Sequence, residues 1–274
     1  MKIKTSTKRL IIQAIFFLLQ NPLLKNFYDG VIYQGRLKMM CTPGLNCYSC
    51  PAAVMSCPIG AMQLFFAGMR HSISLFATGF LLSIGVVFGR LICGYVCPMG
   101  LLQDLTYKIK TPKRLMAFRY LRYLKYAVLV VFVVLVPTLL LHELSGWGEP
   151  WFCKYICPSG TIFGAIPLLA TNEFLRESAG ALLVAKMAIA LGSLLVSVVV
   201  YRPFCRILCP LGAIYSLFNK IAFLRMRCDA DKCTSCGDCA KACKIMLKPS
   251  KQPNSPECIR CNDCKAACKE KALN

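Results

Sequence analysis

Cysteine is the residue to start from, with nineteen in 274 residues. Four of them open the same short phrase: Cys57-Pro-Ile-Gly, Cys97-Pro-Met-Gly, Cys157-Pro-Ser-Gly and Cys209-Pro-Leu-Gly. In three copies a second cysteine stands four residues earlier, at Cys93, Cys153 and Cys205. Cysteines at i and i+4 of a helix share a face, so two such pairs can present the four thiolates of a [4Fe-4S] cluster. Proline after the second cysteine suits the first position of a new helix, where its missing N–H costs nothing. That helix points its N-terminal amides back at the cysteine, which favours an anionic thiolate cluster. Glycine two residues after the proline lets the backbone approach iron and sulfide closely. A plain helix-break-helix turn with buried cysteines would account for one copy, but four copies in one chain favour ligation.

The C-terminal stretch carries a second pattern. Cys233-x2-Cys236-x2-Cys239-x3-Cys243 is followed by Cys258-x2-Cys261-x2-Cys264-x3-Cys268. In two-cluster ferredoxins the fourth cysteine of each run ligates the other cluster. The spacing therefore assigns Cys233, Cys236, Cys239 and Cys268 to one [4Fe-4S] centre, and Cys258, Cys261, Cys264 and Cys243 to the other. A zinc site explains the crossed spacing poorly. The usual proline after each fourth cysteine is replaced by Lys244 and Lys269, which alters the local turn but not the ligand count. Cys228 is left over as a non-ligand.

Cys41, Cys47, Cys50 and Cys57 crowd into CTPGLNCYSCPAAVMSC. With Cys153 and Cys157 they offer six thiols for a further station, and three ligand sets remain open. Two clusters could share all six with non-cysteine help. Cys41, Cys47, Cys50 and Cys57 could hold one cluster, leaving Cys153 and Cys157 as a dithiol. Cys50, Cys57, Cys153 and Cys157 could mirror the set formed by Cys93, Cys97, Cys205 and Cys209, and symmetry favours this last arrangement.

These elements sit in an apolar chain. It is 57% hydrophobic with a mean hydropathy of +0.55, too apolar for an ordinary soluble domain. A small secreted disulfide scaffold is excluded by length and hydropathy. Anionic clusters would offset part of the formal charge of +21. The remaining basic loops argue for membrane orientation, and no basic patch interleaved with aromatics points to nucleic acid.

The apolar runs predict an α-helical integral membrane protein: about four spanning helices plus half-helices, pseudo-duplicated, over residues 1–224. A C-terminal α+β dicluster ferredoxin domain is expected over 225–274. The expected spans are Leu10–Leu24, Ser72–Ile92, Tyr126–Leu141 with a kink at Pro137, and Ala179–Tyr201. The basic 101–125 loop, the N-terminus and the ferredoxin tail read as cytoplasmic in a multi-pass protein of the cell membrane, and the acidic 142–177 loop as outside. This puts Cys93, Cys97, Cys205 and Cys209 at the cytoplasmic face, with the Cys41–Cys57 group, Cys153 and Cys157 toward the other. His71 and His142, the two histidines, fall on the outer side.

The motifs GRLICGYVCPMGLLQDL and YRPFCRILCPLGAIYSLF, with the dicluster tail, resemble the membrane polyferredoxin or 4Fe-4S binding family. That family includes the quinol-dehydrogenase subunit of periplasmic nitrate reduction and related Cys-x3-Cys-Pro membrane proteins. NCYSCPAAVMSCPIGAMQ looks like a subset found largely in anaerobes. The resemblance implies electron transfer at the cytoplasmic membrane and leaves the redox partner open. No Cys-x-x-Cys-His haem site is present.

The expected function is a relay of single electrons between a cytoplasmic carrier and a membrane or outer-face acceptor, without a catalytic residue of its own. It would hold two clusters in the tail and one or two more in the membrane domain. Partners expected are the lipid bilayer, a soluble ferredoxin or flavodoxin-like carrier, and a quinone or an outer-face flavoprotein. The rival readings are a quinol-oxidising subunit with His142 and Glu143 taking protons, a copper reductase or maturation factor, and a redox-sensing regulatory protein.

Overall fold

The computed structural model describes residues 5–68, 71–113, 120–139 and 148–273. His142 and Glu143 lie outside the described residues, as does the side chain of His71.

Local geometry repeats at every Cys-Pro step. Cys57, Cys97, Cys157 and Cys209 are all extended, with φ between −67° and −75° and ψ between 109° and 128°. A residue before proline is pushed out of the helical region, and the proline then starts the next helix with φ already set. Each cysteine therefore sits at a corner. The resulting helices are Pro58–Phe66, Pro98–Thr106 and Pro210–Phe218, and a shorter turn at Pro158–Gly160 that continues through wide π-type turns to Thr171. Short helices Leu91–Tyr95 and Pro203–Ile207 lead into the second and fourth corners.

The expectation of about four spans is overturned. Among the described residues two helices are long and apolar enough to cross a bilayer, Leu121–Leu139 and Ala181–Val199. Each has 19 residues, so each is about 28 Å long, close to the ~30 Å hydrocarbon core. The first expected span is instead Thr5–Gln20, whose 16 residues bury Arg9, Gln13 and Gln20 along one side. The Ser72–Ile92 span stops at Phe88, because Gly89 takes a left-handed φ of +54° and Arg90 turns inward.

The tail is not an α+β domain. No strand occurs among the described residues, only isolated bridges pairing Cys41 with Ser56 and Cys228 with Leu273. With cysteines at every third position the loops must wrap inward, and no run is left to alternate across a sheet. Short helices Asp238–Lys241 and Asp263–Ala267 are the regular elements there. The two halves of the tail share an unusual backbone. Ser235 and Arg260 precede the second cysteine of each run, Gly237 and Asn262 follow it, and Met246 and Lys271 lie three residues past the fourth. All six have positive φ. These left-handed positions reverse the chain repeatedly and gather the sulfurs of each run.

One apolar core encloses the membrane-domain corners. Cys57, Cys93, Cys97, Cys157, Cys205 and Cys209 are buried in it with Phe152, Phe204 and Tyr215.

Candidate metal centres

The first centre joins two corners far apart in sequence. Cys93, Cys97, Cys205 and Cys209 are buried, at 4–6% exposure. Burial, with Cys97 and Cys93 close by, pushes the Cys205 thiol up to about 12. Burial raises Cys209 as well, next to Cys205, Cys93 and Cys97. Thiolates at such a site need cationic compensation.

Donors are already aimed at the sulfurs. The Leu45 amide donates to Cys97 Sγ at 3.4 Å, the Gly212 amide to Cys209 Sγ at 3.3 Å, and Gln103 Nε2 to Cys205 Sγ at 3.0 Å. The phrase glycines act differently from expectation here. A Cβ on Gly100 would stand 2.9 Å from the Cys93 carbonyl, and one on Gly212 would stand 3.0 Å from the Cys205 carbonyl. They let each new helix start against the backbone of the preceding cysteine.

Buried charge completes the setting. Arg90 Nη2 donates to the Cys205 carbonyl at 3.1 Å, and Arg202 Nη1 donates to the Cys93 carbonyl. Asp104 accepts from Arg202 at 2.9 and 2.5 Å and pairs with Arg9 at 3.2 Å. Glu257 pairs with Arg90 at 3.1 Å and with Lys125 at 2.7 Å. Among the described residues the buried bases Arg9, Arg90, Lys125, Arg202, Arg206 and Arg260 outnumber the buried acids Asp104 and Glu257, with the partly buried Asp263 reaching Arg9 at 3.8 Å. Burying such a cationic surplus is costly unless anions share the interior. Four thiolates around iron and sulfide carry net negative charge. The donor set, the aimed N–H groups and this surplus fit a [4Fe-4S] centre.

The tail packs directly on this site. The Ile259 carbonyl occupies the place of a side chain on Gly94, 2.6 Å from where a Cβ would sit. Asn219 Nδ2 donates to the carbonyls of Ser255 and Cys258 at 2.6 and 3.0 Å, and Asn262 Nδ2 donates to Tyr95 Oη at 2.8 Å. Cys243 and Cys261 pack against one buried cluster around Ile259. Burial, with Cys261, Cys258 and Cys243 acting on it, pushes the Cys264 thiol up to about 12. Cys233, Cys236, Cys239 and Cys268 line a separate cavity of about 150 Å³, which Cys228 also borders.

A further chamber of about 390 Å³ is lined by Cys47, Cys57, Cys153 and Cys157. Cys50 points elsewhere: its thiol approaches Asn21 Oδ1 at 3.6 Å and packs with Ala52 and Ala53. Cys41 borders a neighbouring cavity of about 370 Å³ that shares Cys57 as a wall. Of the set favoured by symmetry, Cys57, Cys153 and Cys157 line this chamber, and Cys47 rather than Cys50 is the fourth cysteine in its wall. The two groups also meet, although the charge pattern assigns them to opposite faces. Leu45 donates to Cys97 Sγ, and its carbonyl accepts from Ser159 Oγ, two residues beyond Cys157, at 3.2 Å. Among the described residues no three His, Cys, Asp or Glu side chains converge as a single metal ion requires. A cube takes one thiolate per corner and needs no such convergence.

Sequence reading missed Gln63, Gln103, Arg90, Arg202 and Lys186. The signals were there. Each glutamine stands six residues after a Cys-Pro cysteine, each arginine three residues before a paired one, and Lys186 is a lone base in an apolar run.

Family comparison matches three stretches, 69–115, 125–169 and 182–227, to the 4Fe-4S binding domain. Together they cover about half of the chain, and each holds one Cys-x3-Cys-Pro element. The chain belongs to this 4Fe-4S binding family. An uncharacterised protein of Methanocaldococcus jannaschii is 30% identical over 167 residues, 60% of this chain and 62% of the relative. The methylamine utilization ferredoxin-type protein MauN of Methylobacillus flagellatus is 27% identical over 196 residues, 68% of this chain and 60% of the relative. YccM of Escherichia coli, an electron transport protein by name, is 22% identical over 170 residues, 58% of this chain and 43% of the relative. The chain spans less than two thirds of the length of these relatives. No solved structure matches. The family match makes this chain a [4Fe-4S]-binding protein, and two of these relatives are named as a ferredoxin-type protein and an electron transport protein.

Proposed function

We propose that the chain is a membrane-anchored relay, passing single electrons from a soluble carrier through a docked tail, residues 225–274, to a centre held by Cys93, Cys97, Cys205 and Cys209. Bound at such sites, [4Fe-4S] centres supply one-electron exchange. The observation that carries this reading is the docking of the Cys258 loop on the Cys93 corner. Glu257 beside Cys258 bonds Arg90, and Ile259 presses on Gly94 beside Cys93. Two centres held by these corners would be separated by little more than packed backbone.

Membrane placement rests on the two 19-residue apolar helices, whose most apolar windows are only 22% and 11% buried within the protein. Leu139, Val184, Leu191 and Leu195 are exposed at 59–74%. A soluble core helix would hide such side chains. The tail faces the cytoplasm in this reading, on the side of the basic 101–125 loop.

Cys236 is exposed, with the exposed Lys232 and Lys241 near it in sequence, each in a solvent-exposed ion pair with a neighbouring aspartate, Asp229 and Asp238. That rim suits an acidic carrier of the ferredoxin or flavodoxin class. In proteoliposomes, reduced ferredoxin outside should reduce a membrane-impermeant acceptor trapped inside, and Cys258→Ser should abolish the transfer. Equal rates with and without the protein would overturn the relay.

A further inference from the structure

The loop 41–57 lies outside every stretch matched by the family, yet two of its cysteines complete the chamber at Cys153 and Cys157. We propose that Cys47, Cys57, Cys153 and Cys157 hold an additional [4Fe-4S] cluster, with Lys186 as its counter-charge and Gln63 as its hydrogen-bond donor. This deepens the relay reading and rests on it.

Four cysteines line one space: Cys153 and Cys157 from one corner, Cys57 from another, and Cys47 from the loop between Cys41 and Cys57. Backbone comes close to two of the sulfurs: a Cβ on Gly60 would stand in ordinary contact with Cys153 Sγ at 4.0 Å, and one on Gly164 with Cys47 Sγ at 3.6 Å. Gln63 is clamped at both ends. Its Oε1 accepts from the Phe152 amide at 2.9 Å while its Nε2 donates to Cys153 Sγ at 3.1 Å. Gln103 presents the same group to Cys205 Sγ at 3.0 Å, so the two centres share a donor at one offset from their Cys-Pro corners.

Lys186 is the independent pointer to an anion. It is the one charged residue in the apolar Ala181–Val199 helix, and it lines the chamber with the four cysteines. An ionisable group in an apolar span is costly unless it meets a counter-charge. Nearby Lys154 is already paired with Glu149 at 2.5 Å. Among the described residues that line the chamber there is no acidic side chain to meet Lys186, and an anionic thiolate cluster would supply its counter-charge. Leu45 then links this station to the Cys97 corner through its own amide and carbonyl.

The test is iron and sulfide analysis of anaerobically purified full-length chain, joined to potentiometric EPR. Four centres correspond to roughly sixteen irons per chain. Cys47→Ser and Cys153→Ser should each lose about a quarter of the iron and one EPR component, while Cys50→Ser and Cys41→Ser keep both. Lys186→Met should retain the iron and move the midpoint of that same component to a more negative potential, leaving the others in place. That readout does not depend on how the cysteine variants fold. Loss of the component in Cys50→Ser but not in Cys47→Ser would overturn the assignment. So would roughly twelve irons in the parent chain, with the relay still standing. Roughly eight or fewer would sink the relay reading itself.

Discussion

Arg90 stands three residues before Cys93, yet its guanidinium donates to the carbonyl of Cys205, 115 positions away, at 3.1 Å. Arg202 stands three residues before Cys205 and returns the bond to Cys93. Each arginine then takes an acid of its own, Glu257 for Arg90 and Asp104 for Arg202. The exchange locks two corners together at the atoms that fix where their sulfurs lie. It also gives the site its positive setting.

Arg90→Met should therefore be severe. It strips Glu257 of one buried partner and leaves the Cys205 carbonyl without its donor. Breaking a buried pair of this kind costs about 3–5 kcal/mol. Thermal unfolding in detergent should show the loss, with Arg90→Lys recovering part of it.

Asp104 gives a pH dependence with a defined sign. Burial works against its charge, but Arg202, Arg9 and the Gln13 amide outweigh burial and hold its carboxyl below the usual range. Tyr201 and Cys261 also face this cluster, and Asp263 reaches Arg9 at 3.8 Å. A carboxyl whose folded pKa is depressed stabilises the fold above the unfolded value and loses that contribution as pH falls through the folded value. Stability should be flat near neutrality and fall with acidification below about pH 4. Asp104→Asn should be less stable at pH 7 and flatter across that window in denaturant titrations.

Gln103→Leu should keep the iron count and shift one EPR component to a more negative potential. Its amide bond to Cys205 Sγ favours the more anionic, reduced state. The remaining components should stay where they are.

Gly94→Ala places a methyl group 2.6 Å from the Ile259 carbonyl, where only backbone can yield. Overpacking of this sort costs about 1–3 kcal/mol. The tail should loosen from the Cys93 corner. Stopped-flow reduction should then show normal reduction of the tail centres and slowed reduction of the next one.

Much of the site was legible in the sequence. The Cys-Pro corners were, because proline restricts the residue before it and fixes its own φ whatever the context. The grouping of Cys243 with Cys258, Cys261 and Cys264 was read from spacing alone. Spans were read less well. Hydropathy counts Arg9, Gln13 and Gln20 as interruptions, but Thr5–Gln20 turns them inward onto Gly94, Asp104 and Val96. Strands were expected in the tail from its cysteine spacing alone, and the positive-φ turns take their place. That Cys47 and not Cys50 lines the chamber was invisible, because it depends on which way one short loop folds around Asn21. The partnership of Arg90 with Glu257 was equally hidden, since nothing local links residues 167 positions apart.

The central claim is that Cys93, Cys97, Cys205 and Cys209 surround one iron–sulfur centre against which the tail docks. The direct measurement is EPR of the dithionite-reduced, anaerobically purified chain beside its Cys205→Ser variant. One component and about four irons should vanish while the interacting pair of tail signals persists. A variant that keeps every component and all of its iron would contradict the account.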